Sequence, residues 1–550
     1  GRQGRKRGAF PCAAPPLRRR QSPPMRKHVF LTATMIALAA LAAPAASAAE
    51  AAAEPALLQP CRLRGVEHEA RCGAVVRPLD PTRPDGPTIE VRFAVLPALA
   101  RRKHPDPVFL LAGGPGQSAI EIAGAVEQLM ARLVNRRDIV LVDQRGTGRS
   151  APLTCEVPAP TTPLAELADP ARQRAALRRC RERLQGLPHG DLRQYTTTIA
   201  MADVDAVRQA LGAAQVNLVG ASYGTRAALE YLRQFPHAVR RVVLDGVAPP
   251  DMALPAAFAP DAQTAFDALA TACEAEPACA AQYPDLQPRW REVLAALPRE
   301  VALAHPVTGV DERFVLTREA AVSMLRLPLY LPVLTSALPL AVGEAAAGRF
   351  AALAGLAAAM GGRRGALDLA EGMHFSVVCA EDMPLVEAAA RAAEPSAAPP
   401  GGRSEAPSAG APAPGEGAAA VPDFGDTLER LYRDTCAHWP RGDVPADFYR
   451  VVQAPAAVLV LSGGLDPVTP PRHGARVAAA LGGRARHVVV PNAGHGVLAI
   501  GCARDVLRRF VDAPTEAEAL AVDASCVERI PRPPAFQPVR AGAATAEVAR

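Results

Sequence analysis

The sequence predicts an α/β fold, a mostly parallel mixed sheet with a helical cap inserted into it. Three observations point there. Strand-like runs at 73–78, 88–96, 107–111, 138–142, 214–219 and 240–245 alternate with helical stretches after about residue 110. Strand signals then stop, and from about 250 to 375 the pattern is Ala- and Leu-rich and helical. Two more strand-like runs, 456–461 and 486–490, resume the sheet. One domain interrupted by an insertion accounts for that order.

In chain order, residues 1–24 precede Met25 and read as upstream translated sequence. Residues 25–48 read as a secretion signal. Met25-Arg26-Lys27 is basic, Val29 to Leu41 is an apolar run too short to span a membrane comfortably, and Ala46-Ser47-Ala48 is a small-residue cleavage site. The first part of the core is 49–250, the cap is 251–378, and 379–386 returns the chain to the core. Residues 387–422 are low-complexity Ala, Pro, Gly and Ser with no usable apolar period, which predicts a flexible surface loop. Residues 423–540 complete the core and 541–550 form a tail. The apolar stretch 318–342 is broken by Arg326, Pro328, Pro332 and Pro339, so it reads as cap helices over the mouth of a site, not as a membrane span.

Composition bounds the function classes. Of 550 residues, 49% are hydrophobic, ample for a core. The formal charge is +6, but residues 1–48 hold nine basic residues and no acidic one. Beyond position 48 stand 52 basic against 55 acidic residues, a balance of −3. The basicity belongs to the leader, and nothing argues for nucleic acid. Of 11 cysteines, Cys12 lies upstream of Met25, leaving ten. No C-x-x-C pair or metal-ligand spacing occurs, and no metal or cofactor is implied. An even set in an exported chain predicts disulfides and a periplasmic or secreted protein. Sequence does not dictate connectivity. The simplest assignment is neighbouring pairs: Cys61–Cys72, Cys155–Cys180, Cys273–Cys279, Cys379–Cys436 and Cys502–Cys526.

The chemistry is carried by Gly220-Ala221-Ser222-Tyr223-Gly224, a G-x-S-x-G pentapeptide between the run Gln215 to Val219 and a helical stretch from Thr225 to Phe235. A serine on such a strand-to-helix turn is lifted clear of the sheet as a nucleophile. It needs a base, and the base needs an orienting carboxylate. Both follow in order, each after a strand-like run: Asp466 in Ser462-Gly463-Gly464-Leu465-Asp466-Pro467, and His495 in Asn492-Ala493-Gly494-His495-Gly496. His374, His438, His473 and His487 have no comparable loop context. Thr469, three residues past Asp466, is placed either to hold that carboxylate or as a plain turn hydroxyl. The oxyanion needs two N–H donors. One is expected from Tyr223, the residue after the nucleophile. The other is expected from the loop Ala112-Gly113-Gly114-Pro115-Gly116-Gln117-Ser118, at Gly114 or, second, at Gly113.

With these residues in place, the chain resembles the α/β-hydrolase peptidases related to proline iminopeptidase, and within them the secreted tripeptidyl-aminopeptidase-like branch. The resemblance runs from about residue 60 to about 530 and rests on an ordered set. It includes Gly113 to Ser118, Asp143-Gln144-Arg145-Gly146-Thr147-Gly148-Arg149-Ser150, Tyr195-Thr196-Thr197 and Asp203-Val204-Asp205. It continues through Gly220 to Thr225, Val243-Leu244-Asp245-Gly246-Val247 and Val378-Cys379-Ala380-Glu381-Asp382. It closes with Gly463 to Pro470 and Gly494-His495-Gly496. It implies an α/β-hydrolase fold with a C-terminal TAP-like part. It also suggests the Cys502–Cys526 pairing and places an acidic residue at the Glu381 position. Where many iminopeptidases carry His before Gly-Gly-Pro-Gly, this chain has Ala112, which weakens strict proline specificity. Asp143 and Arg145 are expected to brace the loop beside the oxyanion site.

An aminopeptidase must recognise a free α-amine, and in a buried site its natural partner is a carboxylate. Glu381 is expected in that role, helped by Asp382; the alternative is a structural acid pair. The leading function is an exported serine exopeptidase that removes residues or tripeptides from the N-terminus of short peptides. An esterase or amidase would use the same three residues. A non-catalytic binding protein on this scaffold is disfavoured by the intact Ser222, Asp466 and His495.

Overall fold

The computed structural model describes residues 57–361, 369–393, 423–453 and 455–538. The expectations for residues 1–48, 394–422 and 541–550 lie outside the described residues. Nine strands form the main sheet: β1 (Gln59–Cys61), β2 (Ala70–Pro78), β3 (Thr88–Leu96), β4 (Val108–Leu111), β5 (Ile139–Val142), β6 (Val216–Ala221), β7 (Val239–Asp245), and, after the cap, two later strands. Within the cap lies a hairpin of β8 (Arg299–Ala304) and β9 (Asp311–Leu316). The sheet is completed by β10 (Ala457–Gly463) and β11 (Ala485–Val490), in the order β1-β2-β3-β5-β4-β6-β7-β10-β11. The strands from β5 to β11 in that order run parallel, and β1, β2 and β3 join antiparallel.

The short apolar runs form strands because both faces of the parallel sheet are covered. Alternate residues go to opposite sides. Phe109, Val140, Leu218, Val242 and Val460 join one core, while Leu110, Leu141, Val219, Val243 and Leu459 join the other. The cap has its own core, in which Phe266 and Trp290 meet edge to face at 6.4 Å.

Two expectations need correction. The cap is not wholly helical. In β8 and β9, Val301, Leu303, Phe314 and Leu316 point inward, alternating with the exposed Glu300, Ala302 and Ala304 of one strand and Arg313 and Val315 of the other. That alternation is only six residues long and Ala-rich, so it was masked by the helical period around it. The loop expected from 387 begins instead as helix, since Met383–Ala393 is helical through its alanines. All five neighbouring cysteine pairs form disulfides: Cys61–Cys72, Cys155–Cys180, Cys273–Cys279, Cys379–Cys436 and Cys502–Cys526. No helix among the described residues is long and apolar enough to cross a membrane.

Candidate active site

Ser222 stands between β6 and the helix Tyr223–Gln234 as its N-cap, with φ 55° and ψ −123°. A non-glycine residue at positive φ is strained, and such strain gathers at reactive turns. Two glycines permit the turn. A Cβ on Gly220 would lie 2.3 Å from the Gly224 carbonyl oxygen, and one on Gly224 would lie 2.0 Å from that of Leu111. The turn is held from below. Ser222 N–H donates to the Asp245 carbonyl at 2.9 Å, and Thr225 Oγ1 donates to the Ser222 carbonyl at 2.6 Å.

Asp466 follows β10, and His495 lies in the loop after β11. His495 Nδ1 stands 2.8 Å from Asp466 Oδ2. The buried carboxylate also accepts the Val468 and Thr469 N–H groups at 2.9 and 2.8 Å, and the Thr469 hydroxyl at 2.7 Å. Thr469 therefore grips Asp466 as well as forming its turn. The Asp466 contact assigns the proton to Nδ1 and leaves Nε2 as the acceptor. Burial opposes charging His495, but the Asp466 carboxylate outweighs it and raises the His495 pKa above 6.5. Burial likewise opposes ionising Asp466, and His495 with the backbone donors brings it below 3.8. No hydrogen bond reaches Ser222 Oγ among the described residues; in ligand-free sites that contact is often long.

Asp245 joins the two loops, and sequence reasoning assigned it no role. Its carbonyl takes the Ser222 N–H, while its buried carboxylate accepts Val497 and Leu498 N–H at 2.8 and 2.9 Å, two residues beyond the base. Next to it, Gly246 at φ +67° lets His495 pack close: a Cβ there would lie 3.2 Å from His495 Cε1. Its position at the end of β7, between β6 and β10, was the available signal.

The Tyr223 N–H is the first of its helix and has no intrahelical acceptor. In the glycine loop, Gly113 N–H donates to Gln117 Oε1 at 3.2 Å, whereas Gly114 N–H has no such partner among the described residues. Gly114 sits at φ +107°. The loop is clasped from three sides. Ser118 Oγ donates to Asp143 at 2.7 Å, Ala370 N–H donates to the Gly116 carbonyl at 2.9 Å, and His374 Nδ1 donates to the Pro115 carbonyl at 3.1 Å. Burial pushes His374 down to about 4, so it is neutral, and its Nε2 accepts the Tyr432 hydroxyl at 2.7 Å. Arg145 is buried against Asp203 at 2.7 Å and three backbone carbonyls, a brace like Asp143.

Of the two expectations for Glu381 and Asp382, an amine site or a structural acid pair, the geometry favours the structural pair. Both carboxylates are fully buried and every oxygen has a partner. Glu381 accepts the Thr197 N–H and hydroxyl at 2.7 and 2.9 Å, and Asp382 takes Arg226 at 2.5 Å and the Leu254 N–H at 3.3 Å. The Thr197 hydroxyl also meets the Tyr223 hydroxyl at 2.7 Å. The pair therefore holds the nucleophile helix from within, since Arg226 lies on that helix. Burial, against the nearby Arg226, pushes Glu381 up to about 7. Another acid has the features the pair lacks. Glu371 opens the helix Glu371–Glu381, whose N-cap Ala370 bonds the glycine loop. It is half-buried, its pKa is raised by burial, and it has no hydrogen bond or ion pair among the described residues.

Residues 106–313 match the family described as alpha/beta hydrolase fold, and residues 421–526 match TAP-like protein. Serine protease Hip1 of Mycobacterium tuberculosis is 33% identical over 221 residues, 36% of this chain and 42% of the relative. Tripeptidyl aminopeptidase of Streptomyces lividans is 33% identical over 197 residues, 33% of this chain and 36% of the relative. Proline iminopeptidase of Xylella fastidiosa is 29% identical over 146 residues, 26% of this chain and 33% of the relative. The chain thus spans less than half the length of the curated relatives it matches.

Proposed function

From a chain with the α/β-hydrolase fold and a TAP-like segment, we propose an exported serine exopeptidase that hydrolyses short peptides from the N-terminus. The observation that carries the reading is the Asp466–His495 contact at 2.8 Å, taken together with a serine held at positive φ. Ser222 Oγ attacks the scissile carbonyl carbon as His495 Nε2 takes its proton. The Tyr223 and Gly114 N–H groups hold the oxyanion. The C–N bond then breaks, and His495 returns the proton to the leaving amine. Water, deprotonated by His495, releases the acyl group from Ser222.

The peptide preference is supported by the names of the relatives and by Glu371, a carboxylate with no ion pair among the described residues, on the helix whose N-cap Ala370 bonds the glycine loop, which suits a substrate ammonium. Export is supported by the five disulfides, which persist in oxidising compartments.

The test is hydrolysis by the purified protein of Pro-, Ala- and Ala-Ala-Pro-coumarylamides, their N-acetylated twins and a nitrophenyl butyrate, with Ser222→Ala as the blank. Cleavage of free-amine peptides alone supports an aminopeptidase, and the best substrate sets the number of residues removed. Ester cleavage alone, or indifference to acetylation, transfers the assignment to an esterase or amidase.

A further inference from the structure

Arg326 ends the cap helix Arg318–Arg326. Its guanidinium carbon lies 5.1 Å from the Phe258 ring centre and 5.8 Å from that of Tyr330. Nη1 donates to the Tyr330 hydroxyl at 3.3 Å. Nε is buried without an acceptor, and the group forms no ion pair among the described residues. This is not for want of acids. Glu319, Asp426 and Glu429 line the cleft that Arg326 shares with Phe258. Glu319 and Asp426 are held by Arg430 at 3.8 and 2.5 Å, and Glu429 by Arg433 at 2.6 Å. Two aromatic faces stabilise the Arg326 cation only partly, and its planar donors are left for a carboxylate from outside.

The place of this cation gives it meaning. The Tyr330 carbonyl accepts the His495 N–H at 3.1 Å, and the Tyr330 ring stands edge-on to the His495 ring at 5.5 Å. On the other side, Phe258 meets Tyr432 at 5.9 Å, and Tyr432 bonds His374, which clasps the glycine loop. Arg326 therefore belongs to a wall that runs from the base to the oxyanion loop. His495 is the group that protonates the leaving amine, so the side nearest it holds the leaving segment. With 5.5 Å from His495 to Tyr330 and 5.8 Å from Tyr330 to Arg326, the guanidinium lies at most about three extended residues from the base, at ~3.3–3.6 Å each.

We infer that Arg326 binds the free C-terminal carboxylate of the leaving segment, so that the protein selects short unblocked peptides with one to three residues beyond the cut. The inference rests on the exopeptidase reading and names its substrate class. A long or C-terminally blocked chain leaves the guanidinium unpaired.

The experiment compares kcat/KM for unblocked alanine tri-, tetra- and pentapeptides with their C-terminal amides, using the purified full chain, Arg326→Gln and Arg326→Lys. The parent is expected to prefer each acid over its amide by about ten- to a hundredfold, mainly through KM, the range for a hydrogen bond to a charged group. Arg326→Gln brings that ratio to near one, and Arg326→Lys keeps part of it. The parent ratio requires no variant to fold. Equal cleavage of acid and amide by the parent, or a preference intact in Arg326→Gln, overturns the inference and leaves the exopeptidase reading standing. Turnover of esters with no peptide cleaved overturns both.

Discussion

Asp245→Asn isolates how the nucleophile and base are held in register. The Asp245 carboxylate accepts two backbone N–H groups, from Val497 at 2.8 Å and Leu498 at 2.9 Å. An amide of the same shape has one acceptor oxygen, and its NH2 must face the other N–H. The stranded donor costs about 1–3 kcal/mol, and the surviving bond loses its charge assistance, roughly another 1 kcal/mol. Against this, the neutral amide escapes the burial that raises the Asp245 pKa, which offsets part of the loss. The net expectation is a destabilisation of about 2 kcal/mol. Catalysis should suffer more. His495 is two residues before Val497, and a misplacement of about 1 Å costs about a hundredfold in rate. Urea unfolding and kcat on the best coumarylamide measure the two effects separately, with Ser222→Ala as the folded, inactive reference. A variant with parental stability and parental kcat refutes the claim that Asp245 sets the base loop.

Four further outcomes are expected. Asp466→Asn should lower kcat by about 10⁴ through the wrong imidazole tautomer and move the acid limb of kcat/KM downward; an unmoved limb would separate Asp466 from His495. The same pair links to stability. The His495 contribution is full below 6.5 and lost as pH rises through its raised folded pKa, while that of Asp466 is full above 3.8 and lost as pH falls through its lowered one. Denaturant midpoints across that range check both signs. Glu371→Gln should raise KM for free-amine peptides and spare acetylated ones, whereas Glu381→Gln should act on stability and kcat; the reverse pattern would restore Glu381 to the substrate. Removing Cys379–Cys436, which closes a separation of 57 residues, should cost about 4 kcal/mol by loop entropy, read as a lowered Tm; an unchanged Tm would place its value elsewhere.

The strands were legible because a sheet covered on both faces requires short continuous apolar runs, and each expected run contains one. The hairpin β8–β9 was not, because its exposed positions mix charge with Ala302, Ala304 and Val315, which blurs the period of two over only six residues. Glu381 and Asp382 show the sharper limit. Acid type and position in the chain were readable, but which way the carboxylates face was not. The Arg226 and Thr197 that occupy them lie more than 150 residues away in sequence. Glu371 drew no attention because a helix-opening Glu is ordinary; only its lack of a partner distinguishes it.

By itself the sequence determined the chain order of eight of the sheet's nine strands, missing only the short β1, together with the serine turn and the positions of the proposed acid and base. Each depends on local requirements: apolar period, glycine at a close approach, and a polar residue just past a strand end. Tertiary structure alone decided what each charge meets. It buried Glu381 and Asp382 behind the nucleophile helix, tied the Ser222 turn to the His495 loop through Asp245, and left Glu371 and Arg326 without an ion pair among the described residues. A charge's role is set by its neighbours within a few ångströms, and folding brings those neighbours from distant parts of the chain.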